Sequence, residues 1–314
     1  MMRIRSSAAY LALVAGLGLA LAGCGKIGEV RAMKAFKDAN KLYAASDWKP
    51  AADKYEQAIA MNPEFATIYF YLGNSYDNLY RPARKGEPAN DALLQKAVAN
   101  YKLASEKITD NEKLRQLALE YLVASYGPDK LNDATMAEPV VKRMIELSPK
   151  EPTNYFALAK IYEDSGEYEL AEQTLLQSKE AKSNDPAVYM QLAGFYNRKG
   201  DFAKTIDALG ERIKVEPNNP EAHYTLATYY WDEAYRDFRL NDKDKLQYVM
   251  SGVAAVEKAI QIKPDYMEAI TYKGLLLRLQ ANLEKDRAKQ LQLLKEADDL
   301  RDKANEMRKA KQAA

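Results

Sequence analysis

Residues 154–166, NYFALAKIYEDSG, return 34 residues later as VYMQLAGFYNRKG at 188–200 and again as AHYTLATYYWDEA at 222–234. The Leu-Ala pair keeps its place in all three segments, and a tyrosine follows each pair at the same offset. A 34-residue unit is typical of a helix-turn-helix hairpin, which cannot bury its apolar side chains alone. We therefore expect successive hairpins to stack side by side.

Further positions recur in phase with the Leu-Ala pairs, among them Tyr155, Tyr189 and His223 at the start of each segment. The order of bulky residue, Leu, small residue, Tyr and closing Pro resembles the tetratricopeptide repeat, from about residue 32 to about residue 309. The resemblance implies an all-α, right-handed α-solenoid of about seven hairpins. Units two, six and seven are longer than the family's unit, so longer hairpins are expected there.

The third unit is the weakest match. Leu119, Leu122 and Tyr126 can be placed on its first helix, and Ala137 and Val141 on its second. The phase of the first helix is ambiguous. At an inward-facing position this unit offers Glu120 and little else.

The amino terminus predicts export. Residues 1–23 carry Arg3 and Arg5 ahead of a short apolar run, which is typical of a signal peptide. Leu21-Ala22-Gly23-Cys24 resembles the bacterial lipoprotein box, which implies that Cys24, the only cysteine, becomes lipidated. An ordinary cleaved signal with a spare thiol is the alternative. The residue after Cys24 is Gly25 and not an aspartate, which resembles lipoproteins sorted to the outer membrane of diderm bacteria.

We expect residues 24–31 to form a lipidated tether, 32–282 the solenoid and 283–314 a long charged C-terminal helix. The predicted location is the bacterial cell envelope, anchored through Cys24 and facing the periplasm. Leu293, Ala297, Leu300, Ala304 and Met307 follow heptad spacing in the last helix. A cap that closes the last repeat is one interpretation, and a dimerisation or docking helix that makes a homo-oligomer is the other.

Composition excludes several classes of function. The formal net charge is +1, and Arg3 and Arg5 of the predicted signal contribute to it. Positive and negative residues are interspersed along the rest of the chain, whereas nucleic-acid binding needs a concentrated positive field. One cysteine and one histidine cannot make a Cys/His metal site, and we expect no metal and no cofactor. His223 occupies a packing position, and no nucleophile or phosphate-loop signature is present. We do not expect an enzyme.

A groove lined by first helices is the predicted binding site for a protein or an extended peptide, because amides can bond its backbone while aromatic faces contact its side chains. The same residue types also suit repeat packing alone. The predicted groove residues are Phe36, Asn40, Tyr43, Phe70, Asn74, Asp77, Asn78, Phe156, Lys160, Met190, Asn197, Arg198, Tyr224 and Trp231.

Two insertions begin with the same Tyr-Arg-x-x-Arg order, at residues 80–84 and 235–239. Their arginines are Arg81, Arg84, Arg236 and Arg239. One interpretation is a longer hairpin with a polar tip, since loop length costs little entropy. The other is that both tips contact an acidic partner or lipid headgroups.

The sequence as a whole favours a lipid-anchored envelope scaffold that supports assembly or secretion of an envelope complex. The alternative is a lipoprotein that binds glycan or peptidoglycan, because sugars also stack on aromatic rings.

Overall fold

The computed structural model describes residues 28–313 of the chain. The predicted export signal, the lipidation of Cys24 and the first half of the tether lie outside these residues. The second half of the tether, residues 28–31, already belongs to the first helix.

The described residues fall into two compact units, the first ending at Pro149 and the second beginning at Lys150. In the first unit three helical hairpins follow one another, with a short 3-10 turn at Pro82–Arg84 in the second. Their helices are α1 at 28–44, α2 Trp48–Met61, α3 Thr67–Leu79, α4 Pro88–Lys107, α5 Glu112–Tyr126 and α6 Ala134–Leu147.

The second unit consists of four hairpins. Their helices are α7 Pro152–Asp164, α8 Tyr168–Ala181, α9 Pro186–Arg198, α10 Phe202–Val215, α11 Pro220–Arg236, α12 Asp242–Ile262, α13 Met267–Leu283 and α14 Arg287–Ala313. The described residues thus form the expected hairpins and contain no strand, which confirms the all-α prediction. The long second helices α4, α12 and α14, with 20, 21 and 27 residues, lie in the units whose sequences are extended.

Local sequence explains where the helices begin and turn. The side chains of Asp185 and Asn219 accept hydrogen bonds from the backbone at the starts of α9 and α11, and a proline follows each of them. The turns of the fourth and fifth hairpins each contain a left-handed residue, Gly166 at φ 79° and Gly200 at φ 73°. Ser46, at φ 62°, takes this conformation in the first hairpin without glycine's freedom.

Packing uses the repeated positions. The hydroxyls of Tyr69 and Tyr189 donate hydrogen bonds to the carbonyl oxygens of Pro63 and Ser183, six residues earlier. His223 Nε2 lies 2.9 Å from the carbonyl oxygen of Pro217 at the same offset, and its side chain is buried. The histidine therefore does the structural work of a tyrosine at this repeat position.

The C-terminal helix α14 packs along α13. Ala297 and Ala304 of the heptad face are buried, and Gly274 of α13 lets the two backbones approach closely. Arg278 of α13 pairs with Asp298 at 2.5 Å. Two residues of the heptad face thus pack against α13, whereas Leu293, Leu300 and Met307 are half-buried.

Candidate protein-binding surface

Aromatic rings from three first helices meet in the first unit. The ring centroid of Tyr71 lies 6.0 Å from that of Phe36 and 5.3 Å from that of Tyr43. Phe70 lies 5.8 Å from Tyr121 on α5, which continues the row onto the third hairpin. Phe70 itself is buried, whereas the other four rings are half-buried and reach solvent. We call Phe36, Tyr43, Tyr71 and Tyr121 the aromatic surface.

The predicted amides lie beside these rings and bond to tyrosines. The hydroxyl of Tyr43 donates to Asn74 Oδ1 at 2.7 Å, and the amide of Asn74 donates to the hydroxyl of Tyr101 at 3.4 Å. The hydroxyl of Tyr55 donates to Asn40 Oδ1 at 2.7 Å. Buried polar groups need such partners, so the amides fix the rings in place. The Oδ1 atoms of Asn40 and Asn74 thus accept hydrogen bonds from side chains of the same unit.

Asp77 and Asn78 complete this polar network. The Nζ atom of Lys130 lies 2.5 Å from Asp77 Oδ1, and only 9% of the Asp77 side chain is exposed. The hydroxyl of Tyr101 also donates to Asp77, at 3.3 Å. Asn78 donates to Asn74 Oδ1 at 2.9 Å. This partly desolvated ion pair ties the turn after α5 to α3 and holds the two hairpins in register.

The phenols of the network remain protonated at neutral pH. Burial raises the pKa of Tyr43, Tyr55 and Tyr101 above the usual value of 10.0. Each hydroxyl therefore acts as a donor to its amide or carboxylate. The polar network around Asn40, Asn74 and Asp77 therefore keeps one hydrogen-bonding pattern across the physiological pH range.

A second set of rings lies on α11 and α13 of the second unit. Trp231 stacks on Tyr235 with centroids 5.0 Å apart and planes at 8°, and Tyr272 meets Trp231 edge-on at 5.6 Å. Tyr224 contacts Tyr272 at 5.4 Å. Tyr235 is 61% exposed, so this cluster presents one open ring face to solvent.

Three of the other predicted groove residues in the second unit have partners within the chain, and two lie outside the ring cluster. Arg198 forms a two-pronged ion pair with Glu163, at 2.6 and 2.9 Å. Lys160 pairs with Asp164 on its own helix. The guanidinium of Arg212 donates to the sulfur of Met190 at 2.9 Å. Asn197 is exposed and Phe156 half-buried.

The four arginines of the insertions also have partners within the chain. Arg84 pairs with Glu87, Arg236 with Asp232 and Arg239 with Asp237, and all three arginine side chains are exposed. Arg81 donates to the carbonyl oxygen of Asn78 at 3.4 Å.

The two Tyr-Arg-x-x-Arg stretches differ in structure despite their shared order. Tyr80 follows α3 and is buried, whereas Tyr235 lies inside α11 and is exposed.

Sequence reasoning missed Tyr71, Tyr121, Lys130 and Tyr272. In the third unit the residue that joins the row of rings is Tyr121, and the prediction of Glu120 at this position is wrong. The burial of Leu119, Leu122 and Tyr126 fixes the phase of α5 and places Tyr121 beside Tyr101, at 5.4 Å. The signal was available, because Tyr126 matched to Tyr76 puts Tyr121 at the position of Tyr71.

Residues 28–313 contain neither a candidate metal site nor a candidate membrane-spanning helix. No group of His, Cys, Asp and Glu side chains there could hold a metal ion. In the same range, no helix combines the length and the apolar character needed to span a bilayer.

The sequence and the fold are both similar to tetratricopeptide repeat proteins. A tetratricopeptide repeat family model matches residues 36–97. The C-terminal part of a TPR repeat-containing protein from Cytophaga hutchinsonii is similar with a TM-score of 0.56 and 15% identity, over 87% of this chain and 98% of that one.

Two further solved structures are similar over much of their length. A tetratricopeptide repeat protein from Parabacteroides merdae has a TM-score of 0.45 and 14% identity, over 85% of this chain and 98% of that one. MamA from Desulfovibrio magneticus has a TM-score of 0.42 and 13% identity, over 64% of this chain and 98% of that one. Among curated proteins none matches this sequence. Residues 36–97 are thus tetratricopeptide repeat sequence, and the fold of the chain is that of a tetratricopeptide repeat protein.

Proposed function

We propose that this protein is a lipid-anchored scaffold of the bacterial envelope that binds a protein partner on the aromatic surface of its first unit. Tetratricopeptide repeats are protein-binding folds, and their stacked hairpins present extended surfaces. The aromatic surface carries the proposal, because its four rings are open to solvent while the groups around them are locked. Rigid, partly exposed tyrosines bind at low entropic cost.

The rings favour a partner's apolar side chains over a sugar. Tyr71 meets Tyr43 edge-on, and the planes of Phe36 and Tyr71 are tilted by 56°. Tilted rings leave clefts between them, which suit branched or aromatic side chains. A sugar ring stacks best on an open flat face. Glycan binding is the alternative, and the same variants test it.

Photo-crosslinking in cells tests the protein-binding role. A crosslinking amino acid at position 71 or 121 is expected to capture a discrete envelope protein, and Tyr121→Ala is expected to reduce capture from position 71. Tyr168→Ala removes another exposed aromatic ring, on α8, and serves as the control. Equal capture with Tyr121→Ala and Tyr168→Ala would remove the aromatic surface from the proposal. Retention on purified cell wall, lost in Tyr121→Ala, would instead favour the glycan alternative.

The anchor is tested separately. Cys24→Ser is expected to abolish incorporation of labelled palmitate and to release the protein from the membrane fraction. Two or three acyl chains on Cys24 would anchor the protein firmly, whereas one chain alone binds only marginally. Membrane retention by the serine variant would contradict lipidation without touching the aromatic surface.

A further inference from the structure

Two hairpins are closed on their outer side by the same three-residue arrangement, which we call the closing triad. In the second hairpin the hydroxyl of Tyr76 donates to Glu56, and Lys96 Nζ lies 3.2 Å from that hydroxyl and 4.7 Å from the ring centroid. A carboxylate of the preceding second helix and a lysine of the following one thus cover the tyrosine. The triad seals the cleft between two successive second helices.

The fifth hairpin makes the same three contacts, with the carboxylate coming from a position one helical turn earlier in the repeat. The hydroxyl of Tyr196 donates to Glu172 at 3.0 Å, and Lys204 pairs with Glu172 at 2.8 Å. Lys204 Nζ lies 5.0 Å from the centroid of the Tyr196 ring. The pKa of Glu172 is lowered first by Lys204 and also by the tyrosine hydroxyl.

The third hairpin keeps the tyrosine and loses both charges of the triad. Lys102 follows Tyr101 on α4 as Glu56 follows Tyr55 on α2, so a cation replaces the carboxylate. Met136 precedes Ala137 as Lys96 precedes Ala97, so an apolar side chain replaces the lysine.

An open pocket results at this place. It has a volume of about 480 Å³ between α4, α5 and α6, and Tyr126 lies in its lining with Leu119 and Leu122. Among residues 28–313, the hydroxyl of Tyr126 has no hydrogen-bond partner, and Met136 is 46% exposed. The second and fifth hairpins cover these positions with an ion pair, and here apolar surface is left open.

The charged residues around the pocket are mostly cations from three different helices. Lys102, Arg115 and Arg143 line it, against one carboxylate, Glu106. Arg143 pairs with Glu146 on the exposed face of α6. Within the described part of the chain, Lys102 and Arg115 have no carboxylate within ion-pair distance. In a chain of nearly balanced charge, this apolar pocket with a cationic rim is a local departure.

We propose that the pocket binds an acidic segment of a partner protein in which carboxylates flank one bulky apolar side chain. The apolar side chain enters between Leu122 and Met136, and the flanking carboxylates meet Lys102 and Arg115. Cations spread over three helices match several carboxylates better than one, which favours a peptide over a fatty acid.

The site goes beyond the aromatic surface, because α5 presents the two on different faces. Two residues turn a helix by about 200°, so Tyr121 points away from Leu119 and the pocket. A partner can therefore occupy either surface without the other.

The test uses the full-length lipid-free protein and a synthetic peptide with one phenylalanine flanked on each side by two glutamates. Fluorescence anisotropy is expected to show binding that weakens as salt rises. Replacing the glutamates by glutamines is expected to weaken it about tenfold or more, since charge-assisted hydrogen bonds are lost. Sodium laurate, a single-carboxylate amphiphile, is the comparison ligand.

The decisive variant rebuilds the closing triad in the third hairpin. Lys102→Glu with Met136→Lys is expected to remove peptide binding while the thermal midpoint stays or rises. Lys113→Gln, which changes the net charge by the same amount on an exposed site of α5, is expected to leave binding unchanged. Arg115→Gln provides a second test if the double variant is unstable, and it should weaken binding about tenfold.

Three results would each overturn the proposal. They are equal binding by the rebuilt variant, equal binding of the glutamine peptide, and tighter binding of laurate than of the acidic peptide. Tyr121→Ala should leave peptide binding unaltered, so failure of this pocket is distinguishable from failure of the aromatic surface.

Discussion

Replacing Gly73 by alanine is expected to destabilise the protein, although alanine occupies the corresponding position in three other repeats. A methyl group on Gly73 would lie 2.9 Å from Cδ1 of Tyr101 and 3.2 Å from the carbonyl oxygen of Ala97. Ordinary carbon contacts are about 3.5–4.0 Å, so something must move by roughly half an ångström or more.

Tyr101 has little freedom to move. Its ring is fully buried between Phe70 and Tyr121, and its hydroxyl is bonded to Asn74 and Asp77. Overpacking of this kind costs about 1–3 kcal/mol, whereas the gain in helix propensity from glycine to alanine is about 1 kcal/mol. We expect a net loss of about 1 kcal/mol in the free energy of unfolding.

Gly210 in α10 is the matched control, because a methyl group added there would meet nothing within 4 Å. Gly210→Ala should therefore stabilise the protein by about 0.5–1 kcal/mol. Urea unfolding of the wild type and both variants, followed by circular dichroism, measures the two changes. Stabilisation by Gly73→Ala equal to that by Gly210→Ala would refute the claim that close helix packing dominates at this position.

Three further predictions concern turns and charges. Ser46→Gly should raise stability by about 1 kcal/mol in the same urea assay, because Ser46 holds φ at 62° without glycine's freedom. Lys130→Met should cost about 2 kcal/mol by leaving Asp77 largely buried and unpaired, and Asp77→Asn in addition should recover part of the loss. Lys204 holds the pKa of Glu172 below its ordinary value of 4.5. The stability that this carboxylate contributes is therefore present above pH 4.5 and is lost as the pH falls through its folded-state pKa. Glu172→Gln should flatten this loss of stability in thermal melts at acid pH, and an unchanged pH profile would contradict the prediction.

The helical hairpins were predictable because their signal is periodic. Leu158, Leu192 and Leu226 mark the packing face of three successive units, and the structure gives each of them a first helix. The longer units were predictable because their second-helix residues come further along the chain than the 34-residue spacing requires. Helix packing depends on a few large and small side chains at fixed spacing, which a single sequence displays directly.

The chemistry of the surface was less predictable, because it depends on distant pairs. Tyr43 and Asn74 are 31 residues apart, and Lys130 and Asp77 are 53 apart. No local pattern shows that Asn74 is committed to a tyrosine and is no longer free to bind a peptide. Tyr121 was missed for a simpler reason, since it depended on the phase of the one first helix with a degraded repeat.

The repeats of this chain differ in what covers the tyrosine at one shared position. Tyr76, Tyr126 and Tyr196 share one place in the fold, so packing alone gives no reason for their neighbours to differ. Two of them are covered by a carboxylate and a lysine, and Tyr126 is not. Met136 lies exposed beside an apolar pocket with a cationic rim, and exposed apolar surface of this kind favours a bound partner over packing as the reason for the change.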